Sequence, residues 1–195
     1  MQEIFDLQWQ LGVHILKNIG LDYENTIRDA EKKPVWIENY RKALSAELAE
    51  LIREVQEFGI GSPNGKIELV DMLHFLVSLS HIVQVEPSEV SLTGHDLDES
   101  AFPSCAIQTF LALDDLQNSL KWKWWAKGGG FKPEKARKAV LDLWKCFGDF
   151  CALFHMDLET VKKIYLEKNR INFQRQEQDY NEDTKTETDN RSIHA

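Results

Sequence analysis

The sequence predicts an all-α fold with a four-helix-bundle core of two helical hairpins and further helices flanking it. Three observations predict this fold. Apolar residues recur every three or four positions over long stretches, for example at Leu44, Leu48, Leu51 and Val55. No stretch shows the sustained apolar–polar alternation of a strand. The glycine and proline residues that mark turns are far apart along the chain.

Six helices follow from the apolar pattern and the turn signals. They span about residues 3–18, 38–58, 66–84, 103–122, 133–155 and 157–176. Gly20 ends the first helix, and a segment rich in glycine and proline, 59–65, separates the second from the third. Pro103 and Pro133 suit a first helical turn, because the N–H that proline lacks has no helical partner there. Asp157 is a suitable N-cap for the last helix.

The two predicted hairpins resemble each other as a degenerate internal repeat. The hairpin over 38–84 aligns with the hairpin over 103–155, and Asp71 then falls on Asp142. The first helices of the two hairpins align at an offset of 65 residues and the second helices at 71, and a longer glycine-rich loop in the second hairpin accounts for the difference. Two similar hairpins predict a four-helix bundle. Shared apolar periodicity would produce the same alignment, so duplication stays open at this point.

Composition limits the classes of function. The 195 residues include 23 Lys and Arg against 32 Asp and Glu, a formal charge of −9. Such a charge disfavours nucleic acid or an anionic membrane surface as a partner. No apolar run approaches the roughly 20 residues of a membrane span. Three cysteines, an odd number, argue against a disulfide framework, and we expect a reducing, cytoplasmic setting.

The charge is concentrated towards the C-terminal end of the chain. Residues 177–195 hold six acidic and two basic residues. The positions from 181 onward contain few large apolar side chains that could pack against a core. We therefore expect one domain over residues 1–180, followed by an acidic, disordered tail over 181–195.

Four acidic residues lie on the two helices of the first hairpin. Glu47 and Glu50 are one turn apart, as are Glu68 and Asp71 in a helix that is apolar almost all round. A carboxylate buried in such a helix needs a basic partner or a cation. Four oxygen ligands without cysteine favour a hard cation, chiefly Mg²⁺, and a structural salt-bridge cluster is the alternative.

The second hairpin retains only half of these acids. The positions aligned with the four acids of the first hairpin are Ala112, Asp115, Ala139 and Asp142. If the acids served only solubility, this asymmetry would have no reason. The pattern favours one metal site in the first hairpin and a structural second hairpin.

The last predicted helix carries a basic face. Lys168, Asn172 and Arg175 are spaced by four and three residues, which places them on one side of the helix. Lys and Arg together with an amide donor can hold phosphate groups. An ordinary charged surface helix is the alternative, although a Mg²⁺ site nearby makes an anionic substrate more attractive.

A tryptophan-rich segment precedes the glycine-rich loop. Residues 122–125 hold three of the six tryptophans, flanked by lysine. Such a cluster could stack on a base, cover a pocket, form a dimer interface or fill a corner of the core. The sequence leaves these readings open.

Two motifs resemble a known family. The acids in Glu47-Leu48-Ala49-Glu50 and Glu68-Leu69-Val70-Asp71, with the ending from Tyr165 to Tyr180, resemble the dimeric dUTPases. These belong to the all-α nucleoside triphosphate pyrophosphatase superfamily, which includes MazG-like proteins. The resemblance covers most of residues 1–180. It implies a homodimer that hydrolyses dUTP to dUMP and pyrophosphate with Mg²⁺.

The resemblance also implies roles for individual residues. Four acids would bind the metal, and one of the first two would activate the attacking water: Glu47, Glu50, Glu68 and Asp71. Four residues near the C-terminal end would hold the phosphates: Lys168, Asn172, Arg175 and Tyr180. Three residues would line the nucleoside pocket, the first of them near the uracil: Gln8, His74 and Phe75.

The chain departs from the family pattern at several positions. Gly12 stands where some members carry a polar pocket residue, and Asp179 where a glycine is usual. A Lys-Trp-Trp segment, often found between the two acid pairs, occurs here only at 123–125. These departures leave a broader dNTP or dCTP pyrophosphatase of MazG type as an alternative. A non-catalytic helical dimerisation module is the alternative outside enzymes.

Overall fold

The computed structural model describes residues 1–177 and Ile193, and it confirms the all-α prediction. Seven helices and no strand occur in this part of the chain. They are α1 (Gln2–Asn18), α2 (Tyr23–Arg28), α3 (Lys32–Phe58), α4 (Pro63–Val83), α5 (Phe102–Asn118), α6 (Pro133–Leu153) and α7 (Leu158–Glu177). Two single 3₁₀ turns, Pro87–Glu89 and Glu99–Ala101, lie between α4 and α5.

Four helices pack around the core in two pairs. Helix α3 packs on α4 and α5 packs on α6, while α4 also contacts α6 and α3 also contacts α5. Helices α1 and α7 pack against each other and against α4. The α4 helix is central, because 15 of its 21 residues are buried. These contacts do not test the internal repeat, which stays a prediction.

The structure corrects the predicted helix boundaries. Helix α2 is missing from the prediction because six residues are too few for a periodic pattern, although Asp22 caps it through a bond from the Asn25 N–H at 2.8 Å. Helix α3 starts at Lys32 rather than near residue 38, since Pro34 fits its first turn. Helix α5 ends at Asn118, so the tryptophan segment is not helical.

The N-cap expected at the start of the last helix is present. The N–H of Thr160 donates to the carboxylate of Asp157 at 2.8 Å. Among the described helices, none is long and apolar enough to cross a membrane. The predicted acidic tail over 181–195, apart from Ile193, and the candidate residue Tyr180 lie outside the described residues.

Candidate active site

A pocket of about 300 Å³ opens between α1, α3, α4 and α7. Ten of the eleven predicted site residues line it: Gln8, Glu47, Glu50, Glu68, Asp71, His74, Phe75, Lys168, Asn172 and Arg175. The eleventh, Tyr180, lies beyond the described residues. The structure therefore brings together positions that are up to 167 residues apart in the sequence.

Helix α4 forms the floor of the pocket and gives it two different ends. Glu68, Asp71, Phe75 and Ser78 are spaced by three or four residues, so they share one face over about 15 Å of helix. Acids lie towards the start of α4, and aromatic and hydroxyl side chains lie further along. Tyr40 of α3 meets Phe75 at a ring distance of 6.3 Å. We call the two parts the carboxylate end and the aromatic end.

Three carboxylates converge at the carboxylate end. Glu47, Glu50 and Glu68 each offer an oxygen, and these oxygens lie within 4.8 Å of one another. Glu47 and Glu50 are one turn apart on α3, while Glu68 projects from the neighbouring α4. Such a group of oxygens can surround one hard cation.

Burial and repulsion disfavour the charged form of Glu68. Its side chain is 4% exposed, and burial, together with Asp71 and Glu50, raises its pKa to about 7. Lys168 and a hydrogen bond from Asn64 act in the opposite direction without cancelling the effect. Without a bound cation, the positive charge and the hydrogen bond around ionised Glu68 are therefore too weak to offset its burial and the repulsion from its acidic neighbours.

A hydrogen-bonded support holds Glu68 from outside the pocket. The amide nitrogen of Asn64 donates to Glu68 Oε1 at 2.9 Å and to Glu54 Oε2 at 3.2 Å. Ser62 also donates to Glu54 and accepts from the N–H of Gly65, at the N-cap of α4. The sequence prediction missed Asn64. Its position one turn before Glu68 on the same helix was the available signal.

Asp71 is arranged differently from the other three acids. Its Oδ2 lies 2.7 Å from the Nζ of Lys168, whose side chain is 4% exposed. The sequence placed these two residues with the metal and the phosphates respectively. In the structure, Asp71 and Lys168 form one ion pair, at the boundary between the carboxylates and the basic residues of α7.

Helix α7 provides the basic wall of the pocket. Lys168, Asn172 and Arg175 all line the cavity, which agrees with their predicted position on one helical face. Helix α7 is held against α1 by a ring contact of His14 with Phe173 at 5.3 Å. The wall thus presents two cationic side chains and an amide close to the carboxylates.

A network of buried hydrogen bonds underlies the aromatic end. Gln8 Oε1 lies 2.8 Å from His74 Nδ1 and accepts from the Tyr165 hydroxyl at 2.7 Å. Gln8 Nε2 donates to Ser78 Oγ at 2.9 Å. The sequence prediction missed the parts played by Tyr165 and Ser78. The only signal in the sequence was that Tyr165 lies one turn before Lys168 on its helix and that Ser78 lies one turn after His74.

A match to a protein family decides the identity of the chain. A family model described as dUTPase matches residues 1–180. The chain belongs to the dUTPase family. It is accordingly a nucleoside triphosphate pyrophosphohydrolase, a dUTP diphosphatase, and its substrate is a nucleotide. No curated protein and no solved structure matches the chain.

The residues of this dUTPase suit a divalent cation, as is typical of the family. The donors are carboxylate oxygens, which hard cations prefer. Burial, together with Asp71 and Glu50, raises the pKa of Glu68, and a cation bound beside it would favour its charged form. The oxygens of Glu47, Glu50 and Glu68 are therefore placed to hold a divalent cation, and Asp71 adjoins Glu68.

One departure from the dUTPase pattern has a steric reason. Gly12 lines the pocket, and a Cβ placed there would lie 2.7 Å from the ring of Tyr23 in α2. Tyr23 is 2% exposed and cannot move aside easily. The close packing of α2 on α1 therefore excludes a side chain at position 12.

The tryptophan segment of this dUTPase lies on the surface. Trp124 is 83% exposed and Trp125 is 63% exposed, and their rings meet edge to face at 5.6 Å. Trp122 donates to Asn118 at 3.1 Å at the end of α5. A position in the core is therefore wrong for this segment. None of its residues lines the pocket described above.

Proposed function

We propose that the chain hydrolyses dUTP with Mg²⁺ held at the carboxylate end of the pocket. The ligands would be Glu47, Glu50, Glu68 and Asp71. The observation that carries this proposal is the convergence of three of these carboxylates in a pocket that is also lined by the basic residues of α7. Oxygen-only ligands, at a site where substrate phosphates can complete the coordination, favour Mg²⁺.

The basic wall would bind the triphosphate. Lys168 and Arg175 would donate charge-assisted hydrogen bonds to phosphate oxygens, with Asn172 as a neutral donor. These contacts would align the phosphates with the carboxylate end, and Tyr180 would contribute from beyond the described residues. Lys168 would then divide its ammonium protons between Asp71 and a phosphate oxygen.

Glu47 or Glu50 would accept the proton of the attacking water. Both acids lie on α3 and line the same cavity as the basic residues of α7, so a water between them and the phosphates would have a base within reach. A divalent cation bound there neutralises phosphate charge and lowers the pKa of nearby water. Asn64 would keep Glu68 in place during this step.

The nucleoside would occupy the aromatic end. Phe75 and Tyr40 present rings to the cavity, and His74 presents a polar edge. This arrangement separates the base from the phosphates along α4, as the order of residues on that helix requires. Gln8 is buried and hydrogen-bonded on both sides of its amide, so its contribution would be made through its neighbours.

We also propose a homodimer in a cytoplasmic setting. Helix α5 exposes three large apolar side chains on its outer face, Ile107, Phe110 and Leu111, which a second copy could cover. Cys105, Cys146 and Cys151 are free thiols, which suits a reducing compartment.

A pyrophosphate-release assay tests the proposal. The wild-type chain is incubated with each dNTP in Mg²⁺, in Ca²⁺ and in EDTA. We expect pyrophosphate from dUTP in Mg²⁺ and none above background in EDTA. Unchanged release of pyrophosphate in EDTA would refute the metal assignment, while equal rates with all dNTPs would refute selectivity for dUTP.

A further inference from the structure

The buried hydrogen bonds beneath the aromatic end have a fixed direction. The hydroxyl of Ser78 donates to the backbone carbonyl of His74 at 2.9 Å, so its single proton is committed. Ser78 Oγ can then only accept, and its neighbours are Gln8 Nε2, 2.9 Å away, and the hydroxyl of Tyr40. A side-chain amide donates through nitrogen alone, so Gln8 must direct Nε2 towards Ser78.

The direction of the Gln8 amide determines the tautomer of His74. With Nε2 facing Ser78, Gln8 Oε1 faces both the Tyr165 hydroxyl and His74 Nδ1. An oxygen can only accept, so His74 must carry its proton on Nδ1. The other ring nitrogen, Nε2, is then an acceptor with a free lone pair.

That acceptor has no partner within the described residues. His74 Nε2 is buried and makes no hydrogen bond there, although the residue lines the pocket. An unsatisfied buried acceptor is costly unless a ligand supplies a donor. The Tyr165 ring stacks on the imidazole at 4.3 Å with an interplanar angle of 23°, which restricts rotation of the histidine.

We propose that His74 Nε2 accepts the N3–H of uracil, and that Ser78, Gln8 and Tyr165 select the base by fixing the His74 tautomer. Uracil carries a proton on N3, whereas the N3 of cytosine is itself an acceptor. Two acceptors facing each other would repel, so this arrangement favours dUTP over dCTP. The inference rests on the proposed function, because it needs the nucleoside at the aromatic end.

The charge state of His74 is consistent with this role. Burial, with a smaller contribution from Lys168, lowers the pKa of His74 to about 3. The imidazole is therefore neutral at physiological pH and keeps the lone pair on Nε2. Gln8, Ser78 and Tyr165 act through His74, so they are positioning residues in this reaction.

Nitrogen NMR of the full-length chain tests the tautomer directly. The protein is labelled with ¹⁵N-histidine, and the His74 signals are identified by their loss in His74→Gln. We expect Nδ1 to carry the proton, with Nε2 shifting on addition of Mg²⁺ and the non-hydrolysable α,β-imido-dUTP. The cytosine analogue should cause no such shift. A proton on Nε2, or equal shifts with both analogues, would overturn the proposal.

Substrate selectivity gives the second test. Ser78→Ala and Tyr165→Phe each remove one restraint on the Gln8 amide with little change of shape. In both variants we expect the ratio of kcat/KM for dUTP to that for dCTP to fall about tenfold, the effect of one misdirected hydrogen bond. Equal losses with both substrates, or an unchanged ratio, would overturn the positioning role.

Tyr23→Phe is the matched control. Tyr23 is also a buried tyrosine whose hydroxyl lies within 3.3 Å of a histidine Nδ1, that of His81, but neither residue lines this pocket. Its selectivity ratio should equal that of the wild type. Thermal melts of all variants separate unfolding from a change of selectivity.

The outcomes distinguish this inference from the proposed function. If Glu50→Gln retains Mg²⁺-dependent hydrolysis, the proposed function fails, whether or not the His74 signals shift with the uracil analogue. If Glu50→Gln is inactive while the uracil analogue leaves the His74 signals unchanged, the inference alone fails.

Discussion

The aligned acidic positions of the two hairpins differ in burial and in their charged partners. In the α3–α4 hairpin, Glu68 is buried beside other acids, and its pKa is raised to about 7. In the α5–α6 hairpin, the aligned position is Ala139, which is buried without charge. Asp142, aligned with Asp71, lies 2.5 Å from Lys138 and 2.7 Å from Lys145.

Under the proposed function, the first hairpin holds the metal and the second hairpin has only a structural role. Burial acts to raise the pKa of Asp142, but its two lysine partners lower it below the usual range. Of the two aligned acids of the second hairpin, Asp142 is therefore paired with lysines and Asp115 is exposed to solvent. In the first hairpin, burial and the neighbouring acids Asp71 and Glu50 disfavour the charged form of Glu68, which costs stability when Glu68 is ionised. Four changes test this contrast, from the largest expected effect to the smallest.

Removing one carboxylate from the first hairpin should have the largest effect. Glu50→Gln keeps the shape of the side chain but removes a charged ligand and a candidate base. We expect Mg²⁺-dependent dUTP turnover to fall by at least about 10³-fold, while the apo protein melts no lower than the wild type. Asp115→Asn, at the aligned position, is the control and should keep its activity. Full activity in Glu50→Gln would contradict the assignment.

Removing a basic side chain from the α7 wall should weaken phosphate binding. In Arg175→Ala we expect the Kd of α,β-imido-dUTP to rise about 10- to 100-fold, the effect of losing a charge-assisted hydrogen bond. Binding of deoxyuridine, which has no phosphate, should hardly change. Titration calorimetry measures both. Arg170→Ala, exposed on the same helix and outside the pocket, is the control. Equal losses for the two ligands would remove the phosphate role.

Neutralising Glu68 should stabilise the protein in the absence of metal. Because the folded state raises the pKa of Glu68 from 4.5 to about 7, the penalty is absent below pH 4.5 and complete above pH 7. In EDTA at pH 8 we expect Glu68→Gln to be more stable than wild type by about 1–3 kcal/mol.

The difference in stability between Glu68→Gln and wild type should vanish near pH 4. Urea unfolding across this pH range checks the slope. A variant that is less stable than wild type at pH 8 would show that Glu68 is stabilising in the free protein.

The smallest effect is expected in the second hairpin. Asp142→Asn removes ion pairs to two lysines that are about three-quarters exposed. Such pairs contribute little, so Tm should change by no more than about 2 °C and turnover should stay near the wild-type value. A marked loss of Mg²⁺-dependent turnover with an unchanged Tm would show that the second hairpin takes part in the reaction.

The sequence predicted the parts of the fold and site that follow from local spacing. The long helices show their apolar period, and Glu68 stands out because an acid in an apolar helix needs a reason. Contacts between distant segments could not be predicted in this way. The Asp71–Lys168 ion pair and the contact of Tyr165 with Gln8 join helices nearly 100 residues or more apart. Only the packing angles of α1, α4 and α7 bring them together.

The charge of the pocket determines the order in which its ligands can enter. Four carboxylates and two basic side chains line the cavity, so its formal charge is −2 when all are ionised. A nucleoside triphosphate that arrives without a cation meets a field of its own sign. We therefore expect the cation to enter before the nucleotide or together with it, and free dUTP in excess over Mg²⁺ to associate slowly.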